Sequence, residues 1–274
     1  MPLVAPRSAY LHIPFCRRRC YYCDFPIAVI GDAIAQPQPS SQPGSGQGIV
    51  RRYLHYLQQE IALTAQQLPS PALPLQTVFF GGGTPSLLTP AQLETILTQL
   101  QQVFGFEPTV EISIEMDPGT FDREKLLAYK ALGVNRVSLG VQVFQDQLLQ
   151  TCGRSHSVAD VYAAIELLRA CKISNWSLDL ISGLPHQTLE DWQASLEAAI
   201  ALNPPHISAY DLVVEEQTVF GKRFSPGEQP LPTDTSAAAM YRLAQRLLTQ
   251  AGYEHYEISN YAKPGCQCQH NRVY

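Results

Sequence analysis

The sequence carries little charge and lacks any long hydrophobic run. Charged residues make up 16% of its 274 residues, and the formal net charge is −5. A mildly acidic chain does not attract nucleic acid, so we expect no nucleic-acid partner. No stretch of about 18 apolar residues occurs, and residues 1–15 lack a basic start followed by an apolar stretch. We therefore expect a cytoplasmic protein without a membrane-spanning segment, although peripheral contact with a membrane stays open.

Cysteines are few, and their number is odd, which argues against a disulfide framework. Three of the seven fall within the run CRRRCYYC, as Cys16, Cys20 and Cys23. A zinc site would need a fourth cysteine or histidine at a matching distance, and the later pair Cys266 and Cys268 does not have that spacing. Three thiolates can instead hold one [4Fe-4S] cluster and leave its fourth iron for a small chelating molecule. A structural metal on these cysteines is the weaker alternative.

Apolar, strand-like runs alternate with amphipathic helical stretches along the chain. The expected strands cover residues 9–15, 78–80, 110–115, 136–142, 176–181 and 206–214. The expected helices cover residues 51–68, 91–104, 123–132, 158–171, 189–202 and 235–251. Thr89, Asp122 and Ser157 are suitable N-caps. Repeated strand and helix units imply parallel strands with right-handed crossovers, so the sequence predicts an α/β fold with a partial (β/α)6 TIM-like barrel.

Two regions differ from the predicted barrel in composition. Residues 31–48 are rich in proline, glycine, serine and glutamine, which cannot bury a core, so we expect a flexible insertion. We assign residues 1–215 to the barrel, and residues 216–274 to a helix and strand that lead into a further region. The chain stops without a terminal helix or cap, so we expect it to be a fragment.

Polar residues follow several predicted strands, at the edge where β/α barrels bind their ligands. The run GGGTP at 81–85 lets the main chain approach a ligand and adds the Thr84 hydroxyl, although a tight turn explains the glycines equally well. Side chains at such positions could bind ribose hydroxyls, an amino group or other polar atoms, and each could also pair internally. One ligand at an open iron would account for all of them. They are Glu115, Gln142, Arg154 and Asp179.

Seven short motifs are distributed over nearly the whole chain: YLHIPFC at 10–16, CRRRCYYC at 16–23, GGGTP at 81–85, EMDP at 115–118, SLGVQ at 138–142, GR at 153–154 and DLISGLP at 179–185. Together they resemble the radical S-adenosylmethionine (SAM) proteins of the oxygen-independent coproporphyrinogen III oxidase family. The resemblance implies a [4Fe-4S] cluster on Cys16, Cys20 and Cys23, an electron donor, and SAM on the fourth iron. It also implies that SAM contacts Tyr10, Tyr22, Gly82, Gly83, Thr84, Glu115, Gln142, Arg154 and Asp179.

Within this family the chain resembles one branch more than the other. Coproporphyrinogen oxidases carry a further cysteine two positions beyond the third, where this chain has CDF at 23–25, which disfavours oxidative decarboxylation. The motifs GYEHYEISNYA at 252–262 and HNRVY at 270–274 are similar to the HemW branch of heme chaperones. That resemblance implies heme binding, with His270 as a candidate ligand, and heme delivery to acceptor proteins. Coproporphyrinogen III oxidation remains the alternative, so whether the protein is an enzyme stays open.

The resemblance also bears on the end of the chain. In the HemW branch the terminal motif continues with a tryptophan and a further C-terminal domain follows, and this sequence contains neither. We therefore expect that a C-terminal domain of the family is missing.

Several other residues are interpreted as structural. Arg17, Arg18 and Arg19 are expected to form a solvated turn, with room for tuning the charge of the cluster. Packing in the core is the expected role of the tyrosine-rich stretch 253–261 and of the isolated thiols and imidazoles. Those isolated residues are Cys152, Cys171, His12, His156, His186 and His206.

Overall fold

The computed structural model describes residues 6–31, 46–68 and 73–273, which form one curled eight-stranded sheet covered by helices and a separate sheet of two short strands. The strands are β1 (Ser8–Ile13), β2 (Phe15–Cys16), β3 (Ala28–Val29), β4 (Leu75–Gly82), β5 (Phe106–Met116), β6 (Arg136–Gln142), β7 (Trp176–Ser182), β8 (His206–Asp211), β9 (Glu254–Glu257) and β10 (Asn260–Ala262). The helices are α1 (Gly46–Gln67), α2 (Pro90–Phe104), α3 (Arg123–Ala131), α4 (Asp146–Thr151), α5 (Val158–Ala170), α6 (Leu189–Leu202), α7 (Val219–Arg223) and α8 (Asp234–Gln250).

The main sheet has eight strands in the order β1-β4-β5-β6-β7-β8-β10-β9. Its first six strands are parallel, and their order across the sheet follows their order in the sequence, as in a β/α barrel. The hairpin of β9 and β10 continues the sheet in antiparallel pairing. The predicted partial (β/α)6 barrel is therefore confirmed, and the hairpin extends it.

Alternation along the strands separates an apolar outer face from a polar inner face. In β5, Ile112 and Ile114 are buried in the hydrophobic core, while Glu111, Ser113 and Glu115 occupy the alternate positions. The same alternation recurs in β6, β7 and β8, so the core lies between the sheet and its helices. The polar side chains of these strands therefore face the concave side of the sheet.

The predicted caps start their helices as expected. Thr89 forms a capping box with Gln92 at the start of α2, and Ser157 forms one with Asp160 at the start of α5. Asp122 accepts a hydrogen bond from a backbone N–H of the first turn of α3. These caps fix where each helix leaves the preceding loop.

Some boundaries differ from the prediction. The first strand is interrupted at Pro14, which has no N–H to donate, so β1 and β2 are separate. Helix α1 begins at Gly46, so the last residues of the predicted insertion 31–48 are helical, and most of that insertion lies outside the described residues. Strand β8 ends at Asp211, well before 214. Helices α4 and α7 were not predicted, because five or six residues are too short to show a helical period.

Helix α1 buries one side only, through Val50, Leu57 and Ile61. No helix in the described ranges combines the length and the apolar content needed to cross a membrane.

Residues 263–273, called the C-terminal segment below, return from β10 across the concave side of the sheet. They include a short 3-10 helix, His270–Arg272. The Glu111 carboxylate accepts the backbone N–H groups of Gln269 and His270, at 2.9 and 3.3 Å. Arg136 donates to the Cys266 carbonyl oxygen at 3.1 Å. Since Arg136 is the first residue of β6, the segment lies across the amino-terminal end of the half-barrel.

Candidate functional site

A cavity of about 450 Å³ lies on the concave side of the sheet and reaches the carboxyl ends of the strands. Parallel strands in this topology direct their following loops to one edge, which is why residues distant in sequence meet there. The predicted site residues among its lining are Cys16, Cys20, Tyr22, Cys23, Gly82, Gly83, Thr84, Glu115, Gln142, Arg154 and Asp179.

The loop of residues 17–27, between β2 and β3, carries Cys20 and Cys23 and directly follows Cys16. It is called the cysteine loop below, and one of its own arginines holds it together. The Arg19 guanidinium donates to the carbonyl oxygens of Cys23, Phe25 and Ile27, at 3.1 to 3.2 Å. These bonds fold the loop between β2 and β3 around the arginine. The side chain of Arg19 is exposed, as expected for a solvated turn, and it also braces the backbone that carries the thiols.

Two of the three loop thiols accept hydrogen bonds from residues outside the loop. Thr84 Oγ1 lies 3.6 Å from Cys16 Sγ, and Arg154 Nη1 lies 3.5 Å from Cys20 Sγ. Burial raises the pKa of Cys16 to about 11 and also raises the pKa of Cys23. Metal binding at these thiols must therefore release protons. Within the part of the chain described, no three His, Cys, Asp or Glu side chains are grouped to hold a single metal ion.

Two carboxyl groups face the cavity from neighbouring parts of the sheet. Burial, and then the charge of Asp179, raises the pKa of Glu115 to about 8, although the Gly82 N–H donates to this carboxylate at 3.0 Å. Burial raises the pKa of Asp179 to about 6, and hydrogen bonds from Ser138 and Ser208 oppose that rise. Groups of this kind can accept hydrogen bonds from hydroxyls or amines and can balance a cationic ligand.

Arg154 connects the cysteine loop to the end of β6. Its Nη2 lies 2.5 Å from Asp117 Oδ1 and 3.0 Å from the Gly140 carbonyl oxygen. Its Nη1 lies 3.4 Å from the Tyr22 hydroxyl, beside the contact with Cys20. Internal pairing, the alternative considered for Arg154, is therefore present, and the sequence-based prediction missed Asp117 as its partner. The Nε atom is buried and has no hydrogen-bond partner among the described residues.

The glycine run at the end of β4 is required by close packing. Gly82 has a φ of +112°, which side-chain-bearing residues rarely adopt. A Cβ on Gly83 would lie 2.8 Å from the Phe15 carbonyl oxygen. The turn therefore requires these glycines. Gly82 and Gly83 also line the cavity, so a role in the turn and a role in ligand binding are compatible.

Tyr10 and His270 do not line this cavity. Tyr10 is 45% exposed, and its ring stacks on Phe79 at a centroid distance of 6.1 Å. His270 is only 4% exposed; its ring stacks on Phe79 at 5.1 Å, and its Nδ1 lies 2.8 Å from Thr77 Oγ1. Tyr274, which belongs to the same motif, lies outside the described residues.

The inner faces of the strands contribute further cavity residues that the prediction did not assign to the site, among them His206, which it had assigned to packing. Their signal in the sequence is the alternation of polar and apolar residues, as in SLD at 177–179 and HISAY at 206–210. These additional lining residues include Ser113, Arg136, Ser138, Ser177, His206, Ser208 and Tyr210.

Comparison with known proteins identifies a family. Residues 10–199 match the model of the Radical SAM superfamily. The chain is 53% identical to a heme chaperone HemW of Synechocystis sp. over 269 residues, which is 98% of this chain and 62% of that protein. It is 37% identical to the heme chaperone HemW of Haemophilus influenzae, over 100% of this chain and 67% of that protein.

A solved structure has the same architecture. The radical SAM coproporphyrinogen III oxidase HemN of Escherichia coli superposes with a TM-score of 0.80 and 29% identity, over 95% of this chain and 56% of that one. The chain thus spans between about half and two thirds of the length of these relatives.

Proposed function

We propose, for a chain that belongs to the Radical SAM superfamily and within it to the HemW family, that the cavity binds a [4Fe-4S] cluster and SAM, and that the whole protein binds heme and delivers it to acceptor proteins. The observation that carries the proposal is that the cysteine loop and the half-buried carboxyls Glu115 and Asp179 line one cavity. A metal site and a site for a polar ligand therefore coincide.

The residues present fit a cluster held by Cys16, Cys20 and Cys23. Hydrogen bonds from Thr84 and Arg154 reach two of these sulfurs, and such bonds tune iron–sulfur centres. When bound and reduced by an electron donor, the cluster supplies the electron for reductive cleavage of a sulfonium. The protein's own contribution is to hold the thiolates, to place a positive charge beside them and to shield the site from water.

The residues also fit SAM, which carries a sulfonium, an ammonium and a ribose. Glu115 and Asp179 are suited to accept hydrogen bonds from hydroxyls, and a bound cation would favour the charged form of both carboxyls. Arg154 lines the same cavity, and its Nε has no hydrogen-bond partner among the described residues. We assign SAM contacts to the predicted set Tyr22, Gly82, Gly83, Thr84, Glu115, Gln142, Arg154 and Asp179, while Tyr10 can contribute only from outside this cavity.

Heme binding through His270 requires a rearrangement. The imidazole is buried, and its Nδ1 is bonded to Thr77. We propose that the C-terminal segment leaves its place on the sheet when His270 ligates heme. Replacement of His270 by alanine should then abolish the heme absorbance band of the full-length protein without reducing its iron–sulfur content.

Oxidation of coproporphyrinogen III is the second candidate, and the superposition on HemN favours it. Against it, Phe25 occupies the position where the oxidases carry a further cysteine, and its side chain is 53% exposed at the cavity. The reconstitution experiment described next separates the two functions.

The test uses full-length protein reconstituted without oxygen. We expect about four irons and four sulfides per chain, and a change in the electron paramagnetic resonance (EPR) spectrum of the reduced cluster when SAM is added. Stable heme uptake without consumption of coproporphyrinogen III supports the chaperone. Formation of protoporphyrinogen would overturn that assignment, and a single zinc ion per chain would overturn the cluster.

A further inference from the structure

Strand β6 ends in a strained turn. Gln142 has a φ of +71°, and the Val143 N–H donates to the Val141 carbonyl oxygen at 3.0 Å. A bond across a single residue with positive φ is a γ-turn of the rare, strained kind. The pairing register between β6 and β7 also shifts between Gly140 and Gln142. Such an irregularity beside a site re-aims a side chain, and here it turns Gln142 into the cavity.

Several functional side chains converge at this turn. A Cβ on Gly140 would lie 2.8 Å from Asp117 Oδ1, 3.2 Å from Gln142 Nε2 and 3.3 Å from Arg154 Nη2. The Gln142 amide therefore lies next to the ion pair that contacts the cysteine loop. A small change in the turn would displace the amide, since it is 8% exposed and closely surrounded.

One imidazole holds the carbonyl at the centre of the turn. His156 Nε2 lies 3.3 Å from the Val141 carbonyl oxygen, the same oxygen that accepts the Val143 N–H. A carbonyl oxygen only accepts hydrogen bonds, so Nε2 carries the proton. Burial, and then the Arg154 charge, lowers the pKa of His156 to about 4, so the ring is neutral near pH 7 and its tautomer is fixed.

The other ring nitrogen, Nδ1, is buried without a hydrogen-bond partner among the described residues. His156 is 6% exposed and directly precedes Ser157, the N-cap of α5. Two residues earlier, Arg154 Nη2 binds the Gly140 carbonyl oxygen at 3.0 Å. The residues at 154 and 156 thus hold two consecutive carbonyl groups of β6.

We infer that His156 is a positioning residue, whose Nε2–H holds the Val141 carbonyl and so fixes the turn that directs Gln142 towards bound SAM. This role rests on the proposed function only for the identity of the ligand, because the turn exists in the protein without it. Packing alone, the role expected from the sequence, would not require a donor at Nε2.

A matched pair of variants separates the two roles. In His156→Gln the amide reaches as far as Nε2 and can still donate to Val141, whereas in His156→Asn it reaches only as far as Nδ1. Ser157→Ala serves as the control, because it removes the cap of α5 without touching β6. SAM affinity is measured on reconstituted protein by titration of the EPR signal, and hydrogen exchange of the peptide around Val143 is measured without the cluster.

We expect His156→Asn to weaken SAM binding about tenfold and to speed exchange at the Val143 amide, with cluster content unchanged. His156→Gln should stay within about threefold of the parent protein in both measurements, and Ser157→Ala should lower only the melting temperature. Unaltered exchange and affinity in His156→Asn, equal defects in both His156 variants, or an equal defect in Ser157→Ala would each overturn the inference. If the parent protein bound no SAM, the proposed function would fail, while the exchange data would still decide whether His156 fixes the turn.

Discussion

Nη1 of Arg154 lies 3.5 Å from Sγ of Cys20, which places a permanent positive charge beside one of the three loop thiols. The opposite edge of the same guanidinium pairs with Asp117. The positive charge of Arg154 therefore acts on the proposed cluster, although Arg154 is 134 positions from Cys20 in the sequence.

Replacing Arg154 by glutamine should make the cluster harder to reduce. Loss of the positive charge disfavours the added electron, so the midpoint potential should fall by some tens of millivolts, where about 59 mV corresponds to a tenfold change in a one-electron equilibrium. Potentiometric titration followed by EPR measures this shift. Asp117→Asn should accompany the change, because the Asp117 carboxylate would otherwise lose its partner. Asp117→Asn alone is the reference, because the double variant differs from it only by the Arg154 charge. Arg169→Gln, at an exposed ion pair, is the control, and equal potentials in the double variant and in Asp117→Asn would contradict the prediction.

Cys20→Ser should abolish the cluster and leave the half-barrel folded. The thiol is at the rim of the cavity and belongs to neither hydrophobic core cluster. Iron and sulfide analysis should show loss of the cluster, while circular dichroism stays that of the parent protein without its cluster. Cys171→Ala is the matched control, because that thiol is buried in the core and should leave iron content unchanged. Global unfolding of Cys20→Ser would indicate a structural metal instead.

Asp179→Ala should weaken SAM binding by about tenfold or more and retain the cluster absorbance. The carboxylate lies in the cavity, where Ser138 donates to both of its oxygens, at 2.9 and 2.7 Å. In the variant the Ser138 hydroxyl would keep its contact with Ser177 Oγ, at 2.7 Å, so the fold should tolerate the change. Glu166→Ala, on an exposed helix surface, should alter neither property. Unchanged affinity for SAM would assign Asp179 to packing.

The pH dependence of stability should reveal the buried carboxyl of Glu115. Its folded pKa of about 8 lies above the usual 4.5, so the folded chain keeps a proton that the unfolded chain releases. The protein without its cluster should therefore lose stability as the pH rises from about 4.5 to about 8. Glu115→Gln should reduce this slope in thermal unfolding followed by circular dichroism. A slope as steep as that of the parent protein would mean that other groups cause it.

Much of the barrel could be predicted because its signals are local. The strand at 136–142 and the helix at 189–202 were predicted with the bounds that the structure gives. Their apolar periodicity and caps are contained within short windows of the sequence. The hairpin β9–β10 gave no such signal, because its stability comes from pairing with β8, about 50 residues earlier in the chain.

The residues that line the cavity were predictable in part, and their contacts less so. Strand ends and motifs suggested Glu115, Gln142 and Asp179, and the structure brings these residues into one cavity. The ion pair of Arg154 with Asp117 could not be predicted, since it depends on the exact packing of two loops. The burial of His270 was missed for a similar reason: a histidine in a polar stretch gives no indication that it will stack on a ring of β4.

The C-terminal segment has a consequence for the shape of the cavity. Cys268 and Asn271 form part of the cavity wall at the amino-terminal end of the strands. The hydrogen bonds between the Glu111 carboxylate and the backbone of the segment hold this part of the wall in place. Movement of the segment away from the sheet would remove Cys268 and Asn271 from the cavity wall. If the proposed heme ligation moves the segment, the cavity would open at the amino-terminal end of the strands, so that heme binding through His270 and closure of this end would exclude each other.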